Sequence, residues 1–535
     1  MTAVKSLQLP PHPPQAAPEL THPTPEHVSP VRKLLSVLMP ISGSLLTALD
    51  LQMTNAGFTQ QIQGELAFTS DEATWIAVAY ISTELIVMPL AGWLSRAFSL
   101  RWYLCVNAAL FVCFSIACAN AWDLSSMLVF RALQGLVAGG FAVLAFTNVL
   151  LQMPRSKQHI GLVFTSITVG LPVSLGPILG GWLVYDYRWQ YLYYLNVFLG
   201  LLLMAGLWRW VDPQPMQLPL LKQIDLLGTL VMAISITCLV MALERGNTEN
   251  WFDSELIVRL IVISVLFLAL FCWIELQSSQ PLINLRLLQK QNFALCNILD
   301  LAVGFMLGYP YVVMQYLYEI QGYNLLQIGR VLVWGSIINP ALGKLIEYVE
   351  SRLLLAIALG AFVTSCFMNS RLSYDVAAHE LFWSQLVRAT GLPMSIAVIA
   401  FIATDNVKKE QADSVSAIFN MVRTMAATVG TATLGTLIEK REQFHSSRLV
   451  EHISTLNFQT RDRLQEFSQL FTNKVGYPNI AQFQATATVR DTVRREAYIM
   501  AYSDSFYVIG ALVFLTGIAV LLFLKKTRKP GESPN

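Results

Sequence analysis

Long segments without any charged side chain are the feature that most constrains this chain. Residues 189–208, 226–243 and 506–524 contain none, and an apolar run of about 18 or more residues can cross the hydrocarbon core of a membrane as a helix. Charged residues make up only 13% of the 535 residues, about half the share that is usual in soluble domains. A soluble multidomain enzyme is therefore excluded, and the chain is predicted to be a polytopic membrane protein.

The hydropathy pattern predicts about fourteen membrane spans of roughly 20 residues each. Because lipid cannot satisfy the hydrogen-bonding groups of the backbone, each span is expected to be an α-helix, so the predicted fold class is all-α. The predicted limits are 33–57, 73–94, 102–120, 125–152, 160–184, 190–210, 224–244, 256–276, 293–318, 325–347, 352–370, 380–404, 412–437 and 502–524.

The distribution of Lys and Arg over the connections predicts the orientation of the spans. Alternate connections are acidic or nearly neutral, and the others are basic: Arg96, Arg101, Arg155, Lys157, Arg286, Lys290, Lys408 and Lys409. This alternation predicts an even number of spans with both termini in the cytoplasm. Residues 1–32 are rich in proline and are predicted to form a disordered cytoplasmic tail, and residues 525–535 are predicted to form a basic cytoplasmic tail.

One connection, residues 439–498, is far longer than the others and is predicted to lie on the outer side. Apolar residues recur within it at helical spacing, which is typical of amphipathic helices. They are Leu449, Ile453, Leu456, Leu464, Phe467 and Phe471. A small helical hairpin outside the membrane and a solvated loop with one apolar face both fit this pattern.

Charged side chains inside the predicted spans are costly to insert, by roughly 2.5–3.5 kcal/mol each, so they are candidates for function. They are Asp50, Glu84, Arg131, Asp300, Arg388 and Arg423. From the helical rise of about 1.5 Å per residue, Asp50 and Arg131 lie at a similar depth in the outer half, so we predict that they form an ion pair. Glu84 and Arg423 are expected near the middle of the bilayer, and Asp300 closer to the cytoplasmic side.

No cluster of His or Cys has the spacing of a metal site, and no HExxH or phosphate-binding loop is present. We therefore predict no catalytic residues, no metal and no cofactor. Thirty-six basic and 34 acidic residues leave a formal charge of +2, which argues against a nucleic-acid partner.

Several motifs resemble the major facilitator superfamily, in its fourteen-span drug:proton antiporter branch of the EmrB/QacA type. Gly176-Pro177-Ile178-Leu179-Gly180-Gly181 resembles the antiporter motif of the fifth span. Residues 130–135 (FRALQG) are similar to the Arg-x-x-Gln-Gly motif of the fourth span. Leu49-Asp50 with Asn55, and Asn420 with Arg423, resemble motifs of the first and thirteenth spans.

The loop after the second span departs from the motif of the family, Gly-x-Leu-x-Asp-x-x-Gly-x-Arg. Gly92, Leu94 and Arg101 match it, but Arg96 stands at the Asp position and Ser99 at the second Gly position. In the family this loop gates the cytoplasmic side, so we expect its charge pairing to be altered here.

The resemblance implies a major facilitator fold with two six-helix bundles, residues 33–210 and 291–524, which rock around a central cavity. Residues 211–290 would supply two additional central helices. The motif residues expected to carry the conformational change are Gly176, Pro177, Gly180, Gly181, Gly92 and Arg101. Asp50 and Glu84 are the expected proton sites, with Arg131 tuning Asp50. The further candidates for substrate binding or coupling are Asp300, Arg388, Asn420 and Arg423.

Proton-coupled export of small, mostly hydrophobic compounds across the inner membrane is the function that the resemblance implies, with the proton gradient as energy source. The long outer loop also suits a pump that works with a periplasmic adaptor (a membrane fusion protein) and an outer-membrane channel. A proton-coupled symporter that takes up a metabolite on the same fold is the alternative. A membrane-embedded enzyme is disfavoured because the sequence lacks a nucleophile cluster, metal ligands and a cofactor motif.

Overall fold

The computed structural model describes residues 30–525, apart from 58–59, 67, 279–280, 336–344, 406, 454–456 and 476. The two predicted tails therefore lie almost entirely outside the described residues, although residues 30–32 already belong to the first helix. Every regular element in the described ranges is a helix, which confirms the all-α fold class.

The first six long helices pack on one another and form the N-terminal bundle. They are α1 (Pro30–Gly57), α3 (Ser70–Phe98), α4 (Leu100–Ala119), α5 (Leu124–Gln152), α6 (Gln158–Asp186) and α7 (Gln190–Trp210), with a short α2 (Gln60–Leu66) after the first. Helix α5 contacts α1, α3 and α4, and α1 also contacts α6 and α7. The start of α1 and the end of α7 lie at the same face, because Arg32 and Asp212 form a salt bridge of 2.6 Å.

Side-chain caps and glycines set how these helices begin and how closely they approach. Asp123 caps the start of α5 by accepting a hydrogen bond of 2.8 Å from the Ser126 N–H, which satisfies one of the free donors at the helix start. Gly135 and Gly139 of α5 face the backbone carbonyls of Tyr80 and Glu84 on α3, and a Cβ at either glycine would collide with them. This close contact brings the charged residues of α3 and α5 to the centre of the bundle.

The C-terminal part of the chain builds the second bundle. It contains α10 (Gln291–Glu319), α11 (Leu325–Leu332), α12 (Leu345–Tyr348), α13 (Ser351–Asn369), α14 (Leu381–Ala403), α15 (Ala412–Glu451), α16 (Phe458–Val475) and α17 (Pro478–Phe523). Helix α10 packs on α14, α15 and α17, and α13 packs on α14 and α17. Gly304 of α10 and Gly430 of α15 let these two helices cross with their backbones in contact, since a Cβ at either would strike the other's helix.

Two helices lie between the bundles in the chain, α8 (Leu226–Arg245) and α9 (Glu255–Gln277). They pack on each other, and α8 also contacts α3 of the first bundle and α15 of the second. Helix α9 exposes apolar side chains such as Val265 (59%) and Leu266 (63%), as expected for a helix that faces lipid.

Twelve helices in the described residues are long and apolar enough to cross a membrane, and they coincide with twelve of the fourteen predicted spans. The other two predicted spans are described in part or lie within a longer helix. For 325–347, α11 ends at Leu332 and a 3₁₀ turn follows at Val333–Gly335, while residues 336–344 lie outside the described residues. The predicted span 412–437 lies within α15, which continues as one helix to Glu451.

The long connection of residues 439–498 is helical, so its interpretation as a solvated loop is wrong. Helix α15 extends into it from one side and α17 from the other, and α16 packs along α17 to form a hairpin. Leu464, Phe467 and Phe471 are half-buried rather than exposed, because the apolar face of α16 lies against α17. Leu449 and Ile453 are half-buried as well, and Leu456 lies outside the described residues.

Candidate functional site

Asp50 and Arg131 form the ion pair that their depths predicted. Arg131 Nη1 lies 2.7 Å from Asp50 Oδ2, and the two side chains are 0% and 1% exposed. Helix α1 contributes the carboxylate and α5 the guanidinium. An ion pair that is fully removed from solvent is energetically sensitive, because losing either partner leaves an uncompensated buried charge.

Polar side chains of α7 and α4 extend the hydrogen-bond network around this pair. Asn196 of α7 donates a hydrogen bond of 2.5 Å from Nδ2 to Asp50 Oδ1. Arg131 Nη1 also donates to Gln134 Oε1 at 2.6 Å, and Gln134 Nε2 donates to Ser115 Oγ at 2.9 Å. Sequence reasoning missed Asn196, although it interrupts an apolar run in which a polar side chain needs a partner.

The surroundings of Arg131 leave room for a rearrangement of its hydrogen bonds. Its guanidinium lies 4.4 Å from the centre of the Tyr80 ring, a cation–π distance. Its Nε and Nη2 atoms are buried without a hydrogen-bond partner in the described structure. A protonated Asp50 would be neutral and would present one O–H donor in place of an acceptor. Loss of the charge on Asp50 would therefore change the hydrogen bonding at the centre of the bundle.

Glu84 is not part of this pair. Its side chain is half-buried in the middle of α3, and it makes no hydrogen bond or salt bridge within the described ranges of the chain. The structure thus separates the two predicted proton sites into a tightly bound carboxylate, Asp50, and an unpaired one, Glu84.

A second buried ion pair joins Asp300 of α10 to Arg423 of α15, and sequence reasoning missed it. Arg423 Nη2 lies 3.7 Å from Asp300 Oδ2, beyond hydrogen-bonding distance. Both Asp300 oxygens are buried without a hydrogen-bond donor among the described residues, and the Arg423 guanidinium stacks over Phe419 at 4.2 Å. Asn420 lies outside this pair, since its side chain donates to the Ser416 carbonyl of the same helix at 2.8 Å.

Arg388 of α14 is buried at 2% exposure and has a different environment. Its Nε donates to Gln385 Oε1 at 2.9 Å, and its Nη2 lies 3.4 Å from the carbonyl oxygen of Leu332. Within the part of the chain that the structure describes, no carboxylate lies within salt-bridge distance of it.

Helix α6 of the first bundle packs on α11 of the second, and this contact is called the seam. A Cβ at Gly181 would lie 2.8 Å from the Leu326 backbone nitrogen of α11, whereas one at Gly176 would lie 2.6 Å from Gln52 Cβ of α1, within the first bundle. Ser174 crosses the same seam with a hydrogen bond of 3.0 Å to the Leu332 carbonyl. Pro177 and Gly180 are buried within this segment of α6. The Gly181 end of the predicted conformational motif therefore lies where one bundle contacts the other, while Gly176 packs within the first bundle.

The loop motif after α3 lies at another contact between the bundles. Arg96 Nε lies 3.3 Å from Asp413 Oδ2 of α15, and a Cβ at Gly92 would come within 2.8 Å of the Asp413 side chain. Ser99 has a φ of 70°, a conformation that favours the glycine found there in the family.

Arg101 does not join this charge pair. Its guanidinium stacks over the Trp208 ring of α7 at 4.1 Å. The basic residue of the pair between the bundles is thus Arg96 on α3, and the acidic one is Asp413 on α15, which is the altered pairing that the sequence led us to expect.

The family model described as Major Facilitator Superfamily matches residues 41–431. The chain is 26% identical over 510 residues to the "Multidrug export protein EmrB" of Haemophilus influenzae, covering 91% of this chain and 97% of that protein. It is 24% identical over 494 residues to the "Colistin resistance protein EmrB" of Acinetobacter baumannii, covering 91% and 96%.

A third relative and a solved structure are also similar to this chain. The "Fatty acid resistance protein FarB" of Neisseria gonorrhoeae is 24% identical over 470 residues, covering 87% of this chain and 90% of that protein. The proton:xylose symporter XylE matches with a TM-score of 0.57 and 12% identity, covering 93% of this chain and 97% of that chain. At this identity the structural match shows the fold alone.

Proposed function

This chain belongs to the major facilitator superfamily, and from that membership we propose that it couples the inward movement of protons to the export of small, mostly hydrophobic compounds. The family consists of transporters, so the chain is a transporter and not an enzyme. Relatives named as multidrug export proteins match over 91% of the chain, which supports multidrug efflux as its activity. Because the xylose symporter shares this fold, the fold does not distinguish export from uptake. The direction of transport has to be measured.

The single observation that carries the coupling mechanism is the buried contact between Asp50 and Arg131. Taking a charge out of water is costly, so a carboxylate is charged most readily in the hydrated state and protonated most readily in the closed one. When a proton arrives from the outer side, Asp50 becomes neutral and its salt bridge to Arg131 is lost. Proton binding then changes the relative free energies of the outward-facing and inward-facing states.

Glu84 supplies a second carboxylate on α3, which packs on the Arg131 helix α5. Because Glu84 has no partner among the described residues, it is suited to exchange protons with a water-filled cavity. Movement of one charge across the membrane supplies roughly 2.3 kcal/mol per 100 mV, with the pH gradient in addition. Asp300 and Arg423 are proposed to act as a secondary coupling pair in the second bundle.

The seam around Gly181 and the charge pair between Arg96 and Asp413 are proposed to hold the two bundles together at opposite ends. Helix α6 packs on α11 in one contact, and α3 packs on α15 in the other. Rocking of the bundles would open one of these contacts while the other stays closed, which is the expected course of alternating access in this class.

The proposed function is tested by measuring the direction of transport in membrane vesicles. Inverted membrane vesicles that contain the protein are energised with a pH gradient, and a fluorescent hydrophobic substrate is added outside. We expect the dye to accumulate in the vesicles and to leave when the gradient is collapsed. Energy-dependent uptake of dye into right-side-out vesicles, with none into inverted ones, would instead identify an importer.

Location and partners extend the same proposal. The basic connections favour an orientation with both termini in the cytoplasm, in the inner membrane.

We propose that the hairpin of α16 and α17 binds a periplasmic adaptor, which passes the substrate to an outer-membrane channel. The support is the exposed apolar tip of the hairpin, where Leu470, Ile480 and Phe483 are 52%, 47% and 75% exposed. Exposed apolar side chains in a cluster are typical of protein contacts.

Replacing these three tip residues with serine is expected to weaken co-purification with the adaptor and to lower resistance of the cells. Transport by the purified protein in liposomes should continue at the wild-type rate, because none of the substituted side chains belongs to the ion pairs proposed to couple transport. The matched control replaces the half-buried Leu464, which packs inside the hairpin, and should reduce stability instead. Lost liposome transport with intact adaptor binding would mean that the hairpin belongs to the gate.

A further inference from the structure

Arg388 has a counterpart in the first bundle, and the difference between the two points to a ligand. Arg131 and Arg388 each lie seven residues after the first residue of their helix, Leu124 in α5 and Leu381 in α14. At about 1.5 Å per residue, both therefore lie about 10 Å into the bundle. Each donates to a glutamine one turn away on its own helix, Gln134 or Gln385.

The two arginines differ in their counterions. Arg131 contacts the carboxylate of Asp50 at 2.7 Å. Arg388 faces the ring of Tyr309 at 5.6 Å, and its hydrogen bonds go to the uncharged oxygens of Gln385 and Leu332. Across the described residues it has no carboxylate within salt-bridge distance. A guanidinium buried in a membrane protein without a counterion is costly, so its presence indicates a function.

The position of Arg388 links it to the transport pathway. The Leu332 carbonyl that it contacts belongs to the last residue of α11, and Ser174 of the first bundle donates to the same oxygen at 3.0 Å. Arg388 therefore lies directly behind the seam between the bundles, and separation of α6 from α11 would open the space beside its guanidinium.

The guanidinium of Arg388 has an aromatic neighbour, because Tyr309 is buried and faces it. A second aromatic pair lies nearer the start of α14, where Trp334 packs edge-to-face on Phe382 with ring centres 5.4 Å apart. A ligand at Arg388 would meet one positive charge and the Tyr309 ring, and its body would extend toward this pair, which fits an organic anion with an aromatic or aliphatic body.

We propose that Arg388 binds the anionic group of an amphiphilic substrate at the seam between the bundles, where the substrate supplies the counterion that Asp50 supplies to Arg131. This inference rests on the proposed export function and narrows its substrates to a class that includes organic carboxylates. Arg388 can form two parallel hydrogen bonds to a carboxylate, a geometry that a lysine cannot reproduce.

The test is equilibrium binding to the purified full-length protein in lipid nanodiscs, with no proton gradient. Three probes share one ring system and differ only in their head group: 2-naphthoate, 2-naphthalenemethanol and 2-naphthylmethylammonium. Because a charge-assisted hydrogen bond to a buried arginine is strong, wild type is expected to bind the anion roughly tenfold or more tightly than the neutral alcohol.

Two variants remove this preference by different routes. Arg388→Gln deletes the charge, while Gln385→Glu keeps Arg388 and places a carboxylate of nearly the same shape 2.9 Å from its Nε. Both are expected to reduce the preference for the anion to about twofold or less, with binding of the alcohol unchanged. The control is Arg259→Gln on the surface of α9, where the arginine side chain is 69% exposed, and it should bind as wild type does.

The outcomes separate this inference from the export function. Equal binding of the three probes by wild type, or a preference that survives in a folded Gln385→Glu protein, would overturn the role of Arg388. Gln385→Glu keeps the size of the side chain, so it decides the question even if Arg388→Gln does not fold. A failure of export in energised vesicles would overturn the proposed function without altering the binding result.

Discussion

Replacing Asp50 with asparagine is expected to reduce proton-driven export to the level of vesicles that lack the protein. Asparagine has nearly the same shape and can still accept the hydrogen bond from Asn196, but it cannot take up and release a proton. The variant is thereby held in the equivalent of the protonated state, and proton binding can no longer bias the two conformations. The measurement is the initial rate of substrate accumulation in inverted vesicles at several external pH values.

The control for this variant must separate coupling from folding. Asn at position 50 leaves Arg131 buried without its carboxylate, which costs about 3–5 kcal/mol when a buried pair is broken. The double variant Asp50→Asn with Arg131→Gln removes both charges and should recover much of that stability while remaining inactive. Wild-type rates in Asp50→Asn at every pH would show that Asp50 is not the coupling residue.

Replacing Arg131 with alanine is expected to have the second large effect. The substitution leaves the Asp50 carboxylate in a dry site with Asn196 as its remaining donor, and it also removes the hydrogen bond to Gln134. We expect a loss of about 3–5 kcal/mol in stability together with a loss of export. Neutral, protonated Asp50 is favoured once the cation is gone, so the remaining transport should show a pH optimum shifted upward.

Arg131→Lys is the matched comparison. A lysine restores the charge but not the planar guanidinium, whose Nη1 contacts both Asp50 and Gln134. It should therefore be more stable than the alanine variant and only partly active. Thermal unfolding of the detergent-solubilised proteins and pH profiles of transport in vesicles measure the two effects. An unchanged pH profile in Arg131→Ala would count against tuning of Asp50 by Arg131.

The Asp50–Arg131 contact could be predicted from the sequence because depth in a membrane helix follows directly from residue position. The same depth calculation would have paired Asp300 with Arg423 if the predicted helix limits had been more accurate. Asp300 lies nine residues after the start of α10 and Arg423 eleven after the start of α15, which is about 14 and 17 Å. Sequence reasoning placed Asp300 nearer the cytoplasmic side and so did not join the two.

The hairpin shows what a one-dimensional pattern leaves open. Leu464 and Phe467 recur at helical spacing, which correctly predicted a helix in that region, but the pattern does not say what covers the apolar face. The structure covers it with α17, so these side chains are half-buried. The missing counterion of Arg388 was likewise beyond the sequence, since it depends on which side chains surround α14 in space.

Reconstitution of the purified protein into liposomes with an imposed pH gradient tests the central claim most directly. Substrate and proton fluxes are followed together, the protons with a pH-sensitive dye inside the liposomes. For wild type, we expect substrate to move against its gradient only while the pH gradient persists, and added substrate to increase proton flux in the opposite direction. For Asp50→Asn we expect neither effect. Coupling through the Asp50–Arg131 pair would be contradicted if substrate movement did not depend on the pH gradient. It would also be contradicted if substrate still induced proton flux in a folded Asp50→Asn protein.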